Sequence, residues 1–350
     1  MIRLGIIGCG GISRYAHAPA IMRLGKTVEC VVVSDINIAA AEVIASEMEV
    51  SDYTNNYREV LKRDDVDAVV IALPHSLHVE VTCAAAEAGK HILLEKPMGR
   101  SMAEAEIIAQ SIKENNVLFM IGLNRRFLPQ YRKVKETIEM GMIGTPKLVT
   151  LDSQQYREFS GWKGSREHAG GGLILDPGIH CIDQLLWWMG DVKEVFVRTL
   201  KPYTDELVET EAIISLRFRS GALGQLLFTG RARGYKGTGW NEAVAIYGEK
   251  GDISTSIPNP EVRLHSSEMI EEEKGHLILW ETQYTPLDEY GRPWNSFESQ
   301  MAEFVRFVRE KNSQPIPGIK EALAALQVIH AAYESCSTGN NIEITSLSPI

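Results

Sequence analysis

Positive charge is scarce in this chain. Its 350 residues carry 36 Lys and Arg against 46 Asp and Glu, a formal net charge of -10. Nucleic acids and anionic membrane surfaces are bound through basic surface, so the deficit argues against both as partners. Cysteine is sparse as well. Cys9, Cys30, Cys83, Cys181 and Cys336 are scattered, odd in number, and never form a C-x-x-C pair. This argues against a disulfide framework or a zinc site and fits reduced, buried thiols in the cytoplasm. No apolar run approaches the roughly 20 residues of a membrane-spanning helix. The opening Met1-Ile2-Arg3-Leu4-Gly5-Ile6-Ile7 lacks the basic-then-long-apolar layout of a secretory signal. Internal repeats, low-complexity tracts and linker-like stretches are all missing. The nearest run of like charge, Glu271-Glu272-Glu273, reads as a solvated turn. What remains is an ordinary globular composition on a chain long enough for two hydrophobic cores.

The first half alternates strands and helices. Ile2 to Ile7 reads as a buried strand, followed by Gly8-Cys9-Gly10-Gly11-Ile12-Ser13 and a helical pattern to about Leu24. Strand, glycine turn and helix is the setting a dinucleotide-binding fingerprint requires. Gly8 permits the tight turn, Gly10 lets the backbone approach a pyrophosphate, and the helix start offers free N–H groups to it. Ser13 stands where a third Gly or Ala is usual, and is small enough for close helix–strand packing. A generic strand–helix turn has the same glycines. The second strand, Val28 to Ser34, ends at Asp35, at the distance where an acidic residue holds the adenosine ribose hydroxyls. A carboxylate there repels a 2′-phosphate, and Ile36-Asn37-Ile38 offers no base to hold one. NAD is therefore expected over NADP. The same Asp35 also suits a helix N-cap. Further strands are expected at Ala68–Leu73, His91–Leu94 and Val117–Ile121. Helices begin at Asn56, Pro74 and Ser101, with capping boxes at Asn56/Glu59 and Ser101/Glu104. This rhythm implies a doubly wound parallel sheet with its ligand at the C-terminal strand ends, where Gly8, Asp35, Pro74 and Lys96 stand.

After about Leu123 the pattern changes, giving domains 1–123 and 124–350. A helix to about Met140 precedes a strand at Pro146–Tyr156, a polar loop at Arg157–Gly172, and alternating segments at Val192–Leu200, Ala212–Phe218, Ala222–Thr229, Glu242–Gly248 and Asp252–Thr255. These suggest an α+β domain with an open, mostly antiparallel or mixed sheet. Two helices and an edge strand near Asn341–Thr345 close the chain. Between them lies Asp176-Pro177-Gly178-Ile179-His180-Cys181-Ile182-Asp183, after three glycines. Asp176 reads as a helix cap with Pro177 in the first turn. Asp176, His180 and Asp183 share one face, and Ile179, Ile182, Leu186 and Met189 form the apolar rows. An imidazole between two carboxylates can handle protons; the pattern also describes a capped helix and nothing more.

Gly8-Cys9-Gly10-Gly11-Ile12, Glu95-Lys96-Pro97, and Gly170-Gly171-Gly172 followed by Asp176-x-Gly178-x-His180-x-x-Asp183 occur in that order. Together they resemble the glucose–fructose oxidoreductase, inositol dehydrogenase and rhizopine-catabolism family, Gfo/Idh/MocA. Pro74 with His78, and Tyr333-x-x-Cys336-x-x-Gly339, look like further family positions. The resemblance covers essentially the whole chain. It implies a Rossmann domain followed by an α/β domain, NAD(P)-dependent oxidation of sugars or cyclitols, and a homo-dimer or homo-tetramer built on the open sheet. It assigns Lys96 to the active site beside Glu95 and Pro97, which shape the nicotinamide pocket. It places Asp176 and His180 at the family's acidic and histidine catalytic positions, and brings Trp162 and Lys163 to the cofactor. Leu73, Pro74, His75 and His78 join the cofactor loop. Tyr156 and Tyr284 are weaker substrate candidates, as is Asp183, which can orient the imidazole.

Oxidising a secondary alcohol removes a hydride and a hydroxyl proton. Histidine is a base matched to neutral pH, so His180 is expected to take the proton. Lys96 is expected to stabilise the developing alkoxide, and Asp176 to bind a neighbouring substrate hydroxyl or steady Lys96 or His180. A glycosidase that oxidises its sugar transiently, and a non-catalytic dinucleotide-binding regulator, remain as alternatives. Arg125 and Arg126 can contact substrate or pair with carboxylates. No metal is expected, because His75 and His78 have no ligand cluster around them.

Overall fold

The computed structural model describes residues 1–200, 208–235, 240–257, 259, 261–267, 276–281, 294–311 and 313–345. The chain forms two compact units. The first comprises Met1–Asn124, His168–Gly170 and Trp294–Leu323; the second comprises Arg125–Glu167, Gly171–Pro293 and Ala324–Ile350. Two later stretches belong with the first unit. One is the amphipathic helix Trp294–Glu310, whose Phe297, Met301, Phe304, Val305 and Val308 are buried. A contiguous division cannot capture such a return, because an apolar helix face carries no address for the core it joins.

The first unit holds a sheet of six strands: β1 (Ile2–Ile7), β2 (Val28–Ser34), β3 (Tyr53–Thr54), β4 (Ala68–Ile71), β5 (His91–Leu94) and β6 (Phe119–Ile121). Their order is β3-β2-β1-β4-β5-β6 and every pairing is parallel. β4 is buried along its whole length, as a strand covered on both faces must be. The crossovers are α1 (Ala18–Arg23), α2 (Ile38–Glu47), α3 (Tyr57–Leu61), α4 (His78–Glu87) and α5 (Met102–Glu114). Strand order reverses between β1 and β4, and that is where such sheets open a ligand crevice.

Both capping boxes form only by half. Asn56 accepts the Arg58 N–H at 3.1 Å, but Glu59 turns to the Thr54 hydroxyl. Ser101 accepts the Glu104 N–H at 3.2 Å, while Glu104 accepts the Arg100 N–H at 2.7 Å. A neighbouring donor wins the carboxylate in each case.

In the second unit a mixed sheet of nine strands runs in the order β14-β13-β12-β11-β7-β10-β9-β8-β15. These are β7 (Pro146–Gln155), β8 (Val192–Thr199), β9 (Glu211–Phe218), β10 (Leu223–Thr229), β11 (Trp240–Gly248), β12 (Gly251–Ile257), β13 (Glu261–Ser266), β14 (His276–Glu281) and β15 (Ile342–Glu343). Only β7 and β10 pair in parallel; the other neighbours are antiparallel. β13 and β14 were not expected from the sequence, although Val262 and Leu264 alternate inward along β13. Strict alternation buries Ala212, Ile214, Leu216 and Phe218 from β9 on one face. Helices α6 (Pro129–Glu139) and α8 (Gly178–Met189) lie in this unit, with the short turn of helix α7 (Arg166–Ala169) between them in sequence. α6 packs on β12, β13 and α8, and α8 packs on β7.

The start of α8 corrects the sequence reading. The N-cap position is Pro177, with no side-chain cap, and Gly178 opens the helix. Asp176 is not a cap, because stronger partners hold its carboxylate. Nor is the burial one-sided: Ile179, Ile182 and Met189 are buried as expected, but so are His180 and Asp183, while Leu186 is only half-buried. Ile179, Ile182, Leu185 and Trp188 alone remove four large apolar side chains from water, at about 1.5–3 kcal/mol each.

Candidate active site

At the switch point of the parallel sheet, Gly8 has φ +97°. A Cβ there would lie 2.2 Å from the Ala72 carbonyl oxygen, so the ends of β1 and β4 approach as only glycine permits. Gly10 and Gly11 are exposed, and a Cβ on Gly10 would meet nothing within 4 Å. That open space over bare backbone is what a pyrophosphate needs. The Ser13 hydroxyl, fully buried, donates to the Gly8 carbonyl at 2.5 Å and locks the turn to the helix that follows.

Asp35 fastens the neighbouring strand end to this turn. Its Oδ2 accepts the Cys9 N–H at 2.8 Å and its Oδ1 accepts the Asn37 N–H at 2.8 Å. The α2 N-cap is Asn37, with no side-chain cap, so Asp35 is not the cap. Half-buried, the carboxylate retains lone pairs that a ribose diol can use. Burial, then the Asp35 charge, push the Cys9 thiol up to about 12, so it is a packing group rather than a nucleophile. Glycines, open backbone and a fixed acidic residue fit a dinucleotide.

Leu73 and Pro74 follow β4, and Glu95, Lys96 and Pro97 follow β5, at the same end of the sheet as Gly8 and Asp35. His78 corrects one expectation. It is fully buried, with Nδ1 2.7 Å from the Pro97 carbonyl and Nε2 3.0 Å from the Leu73 carbonyl. It has no surface for a cofactor and instead ties together the chain leaving β4 and β5. Burial lowers its pKa, which keeps the ring neutral. His75 is also buried, with Nδ1 2.7 Å from the Ala169 carbonyl. Glu95 is 8% exposed and its Oε1 lies 2.8 Å from His17 Nε2. Lys96 is half-buried beside it.

The other expected site residues lie in the second unit. Asp176 is 4% exposed; its Oδ2 lies 3.2 Å from Arg157 Nη1 and 3.7 Å from Lys163 Nζ. Arg157 Nη1 also donates to the Asp176 carbonyl at 3.0 Å, so one guanidinium grips both main chain and carboxylate. Lys163 stands 5.4 Å from the Trp162 ring centroid, a cation–π arrangement. His180, in the first turn of α8, is 9% exposed. Asp183 is engaged two-fold by Arg126, at 2.8 Å from Nε and 2.6 Å from Nη2, with the guanidinium 5.4 Å over Trp187. Tyr156 donates to Glu158 at 2.8 Å. Tyr284 lies outside the described residues.

Both arginines that the sequence left open thus pair with carboxylates. Arg125 binds Glu242, which is fully buried and also accepts from Tyr131 Oη at 2.6 Å and Cys181 Sγ at 3.4 Å. Burial is the strongest single influence on Arg125 and works against its charge, but Glu242, with Cys181 and Tyr131, together outweigh it and the pKa is raised. For Cys181 and Tyr131, burial first and Glu242 second push both well up, keeping both protonated.

The run of three glycines also has its reason here. Glu209 is 2% exposed and accepts the Gly172 N–H at 3.1 Å, the Ile174 N–H at 2.8 Å and the Tyr333 hydroxyl at 2.9 Å. A Cβ at Gly171 would sit 2.0 Å from Tyr333 Oη, and one at Gly172 would sit 2.3 Å from the Glu209 carbonyl. Glu209, Glu242, Arg157 and His17 escaped the sequence reading. Each acts through a partner distant in sequence, and no spacing motif marks such a pair. Among the described residues there is no group of His, Cys, Asp and Glu that could hold a metal ion, and no helix long and apolar enough to cross a membrane.

A parallel sheet with a glycine turn at its switch point, followed by a second unit with a mixed sheet, defines a two-part protein with a dinucleotide-type site. Residues 2–123 match the oxidoreductase family's NAD-binding Rossmann fold, and residues 135–344 match its C-terminal alpha/beta domain. The chain belongs to the Gfo/Idh/MocA family and is an oxidoreductase. It is 29% identical to the uncharacterized oxidoreductase YrbE of Bacillus subtilis (strain 168) over 97% of this chain and 96% of that one. It is 25% identical to myo-inositol 2-dehydrogenase of Thermotoga maritima over 98% of both chains. Among solved structures, levoglucosan dehydrogenase in complex with NADH shares the fold at a TM-score of 0.88 and 23% identity, with 99% of this chain and all of that one covered.

Proposed function

We propose that this protein is an NAD-dependent dehydrogenase that oxidises a secondary ring alcohol of a sugar or cyclitol. The observation that carries this reading is the placing of Gly8, Asp35, Leu73 and Lys96 at one end of the parallel sheet. A ligand lying along the Gly8–Ser13 turn would have a cationic side chain near its other end. The inositol dehydrogenase among its full-length relatives supports the substrate class.

NAD, when bound, supplies the hydride acceptor. The backbone of Gly8, Cys9, Gly10, Gly11 and Ile12 would hold the pyrophosphate, and Asp35 the adenosine ribose. Asp35 carries the NAD preference, because a 2′-phosphate would meet its charge with no base in Ile36-Asn37-Ile38 to offset it. Leu73, Pro74, His75 and Glu95 line the way toward Lys96, whose ammonium holds the reacting oxygen and stabilises its negative charge. His180 takes the hydroxyl proton, and donates it in the reducing direction. Asp176, beside Arg157 and Lys163, accepts a hydrogen bond from a neighbouring substrate hydroxyl. The two-fold Arg126 contact supports reading Asp183 as a residue that holds α8 rather than one that takes part in the chemistry.

We assign a homo-dimer or homo-tetramer to the open sheet face. Leu227 pairs with Ile213, and Leu148 pairs with both Leu223 and Tyr247, so these five share the outer face, each 39–48% exposed. A monomer by light scattering would remove this part. The five cysteines, all free thiols, support a reducing cytoplasm.

The test is a screen of inositols, hexoses, sugar phosphates and glycosides, read as NADH absorbance. Substrate-dependent NADH formation, lost in Lys96→Ala and His180→Ala while NADH still binds, is the expected result. Near-normal turnover in both variants would sink the catalytic assignment. Aglycone release without net NADH would indicate the transient-oxidation glycosidase instead.

A further inference from the structure

One buried polar contact in the first unit has no part in the chemistry assigned above. His17 is 1% exposed and closes the π-helical turn Ser13–His17, which follows the glycine turn directly. A π turn holds more residues than an α turn, shifts the phase of the side chains after it, and is frequent at functional sites. Here its last residue faces Glu95, with His17 Nε2 2.8 Å from Glu95 Oε1. An ionised carboxylate only accepts, so Nε2 carries the hydrogen and the bond is charge-assisted.

His17 has few alternatives to this contact. Its Nδ1 is buried with no hydrogen-bond partner among the described residues, and its ring meets Phe297 edge-on at 5.7 Å. Glu95 is confined as well. Its N–H donates to the Ile71 carbonyl at 2.9 Å, and a Cβ on Gly122 would come within 3.0 Å of Oε2. One carboxylate oxygen therefore faces a wall of main chain and the other an imidazole. On the far side of Lys96, His78 holds the Pro97 carbonyl at 2.7 Å. Lys96 is the one residue between two that buried histidines fix.

We infer that His17 is a positioning residue that sets Lys96 through Glu95 and couples the glycine turn to it. The inference rests on the reading of the glycine turn as a dinucleotide site and of Lys96 as the group that holds the reacting oxygen. The His17–Glu95 bond joins the helix leaving the glycine turn to the chain leaving β5. Loss of it frees the carboxylate to turn, and the main chain that presents Lys96 turns with it.

The experiment compares His17→Leu with His17→Gln, whose amide N–H can reach Glu95. NADH affinity is followed by fluorescence titration, melting temperature by circular dichroism, and kcat and KM on the substrate found by the screen. Loss of a buried charge-assisted bond predicts a Kd for NADH raised about tenfold and a kcat lowered about tenfold in His17→Leu, with His17→Gln restoring both to within about threefold. A His17→Leu protein that melts lower, yet binds NADH and turns over like the wild type per folded molecule, would overturn the inference and leave a packing role only. Should His17→Leu fail to fold, Glu95→Gln keeps the volume and removes the charge; unchanged NADH affinity there overturns the inference equally. Wild-type protein that binds no dinucleotide removes the functional reading, and the inference with it. Binding by the wild type with no effect of either variant removes the inference alone.

Discussion

Replacing Glu242 with Gln should cost the second unit about 3–5 kcal/mol, the range for removing one partner of a buried ion pair. Arg125 and Glu242 are 7% and 0% exposed at their side chains, so water cannot take over the guanidinium once the carboxylate is gone. The amide oxygen can still accept from Tyr131, but its NH2 presents a donor to Arg125 where an acceptor stood. With a urea slope of about 1–3 kcal/mol per molar, the midpoint should fall by roughly 1–5 M. Trp188 is the probe to follow, because its ring meets Tyr131 edge-on at 5.2 Å and its Nε1 donates to the Tyr131 carbonyl at 3.4 Å. The double variant Arg125→Met/Glu242→Leu should recover part of the loss, leaving a coupling of about 2 kcal/mol or more against the sum of the single changes. An unchanged midpoint in Glu242→Gln, or strict additivity in the double variant, would refute the claim that this cluster acts as one buried charge network.

Other predictions concern the segment leading into α8 and the cofactor. Burial raises the Glu209 pKa above its ordinary 4.5. The folded state therefore holds that proton more tightly, and the stability Glu209 contributes is greatest at low pH and falls as pH rises through the raised value. The advantage of wild type over Glu209→Gln in urea midpoint should accordingly shrink from about pH 5 to about pH 8, and a constant difference would contradict it. Gly171→Ala puts a methyl group 2.0 Å from Tyr333 Oη. It should destabilise by about 1–3 kcal/mol and be partly rescued by Tyr333→Phe, as thermal melts would show; an unaltered melting temperature argues against the packing described. Catalytic efficiency with NAD should exceed that with NADP by at least about tenfold, or about 1.4 kcal/mol of transition-state binding. Comparable values for the two cofactors in steady-state kinetics would remove the role given to Asp35.

The elements governed by local chemistry were legible in the residues. β2 spans Val28–Ser34 and β5 spans His91–Leu94 as expected, and Gly89, at φ +70°, ends α4 as a C-cap glycine should. The glycine turn, Asp35 and Lys96 could be placed at one sheet end because a parallel sheet brings the C-terminal ends of its strands together. β13 and the start of α8 were missed for different reasons: a short strand amid polar residues gives a weak period, and the Asp176 carboxylate is bound by Arg157 and Lys163 instead of the helix backbone.

By itself, then, the sequence determined the strand–turn–helix order, the dinucleotide-type turn and the family. Each depends on residues close together along the chain, where spacing and turn chemistry leave few alternatives. Tertiary structure decided the partners of its buried charges. His17 found Glu95, Arg125 found Glu242, Arg126 found Asp183, and Glu209 found Gly172 and Tyr333. A buried charge must be compensated, but composition does not say by which residue. That choice depends on which side chains the fold brings within about 3 Å of one another once water has been excluded.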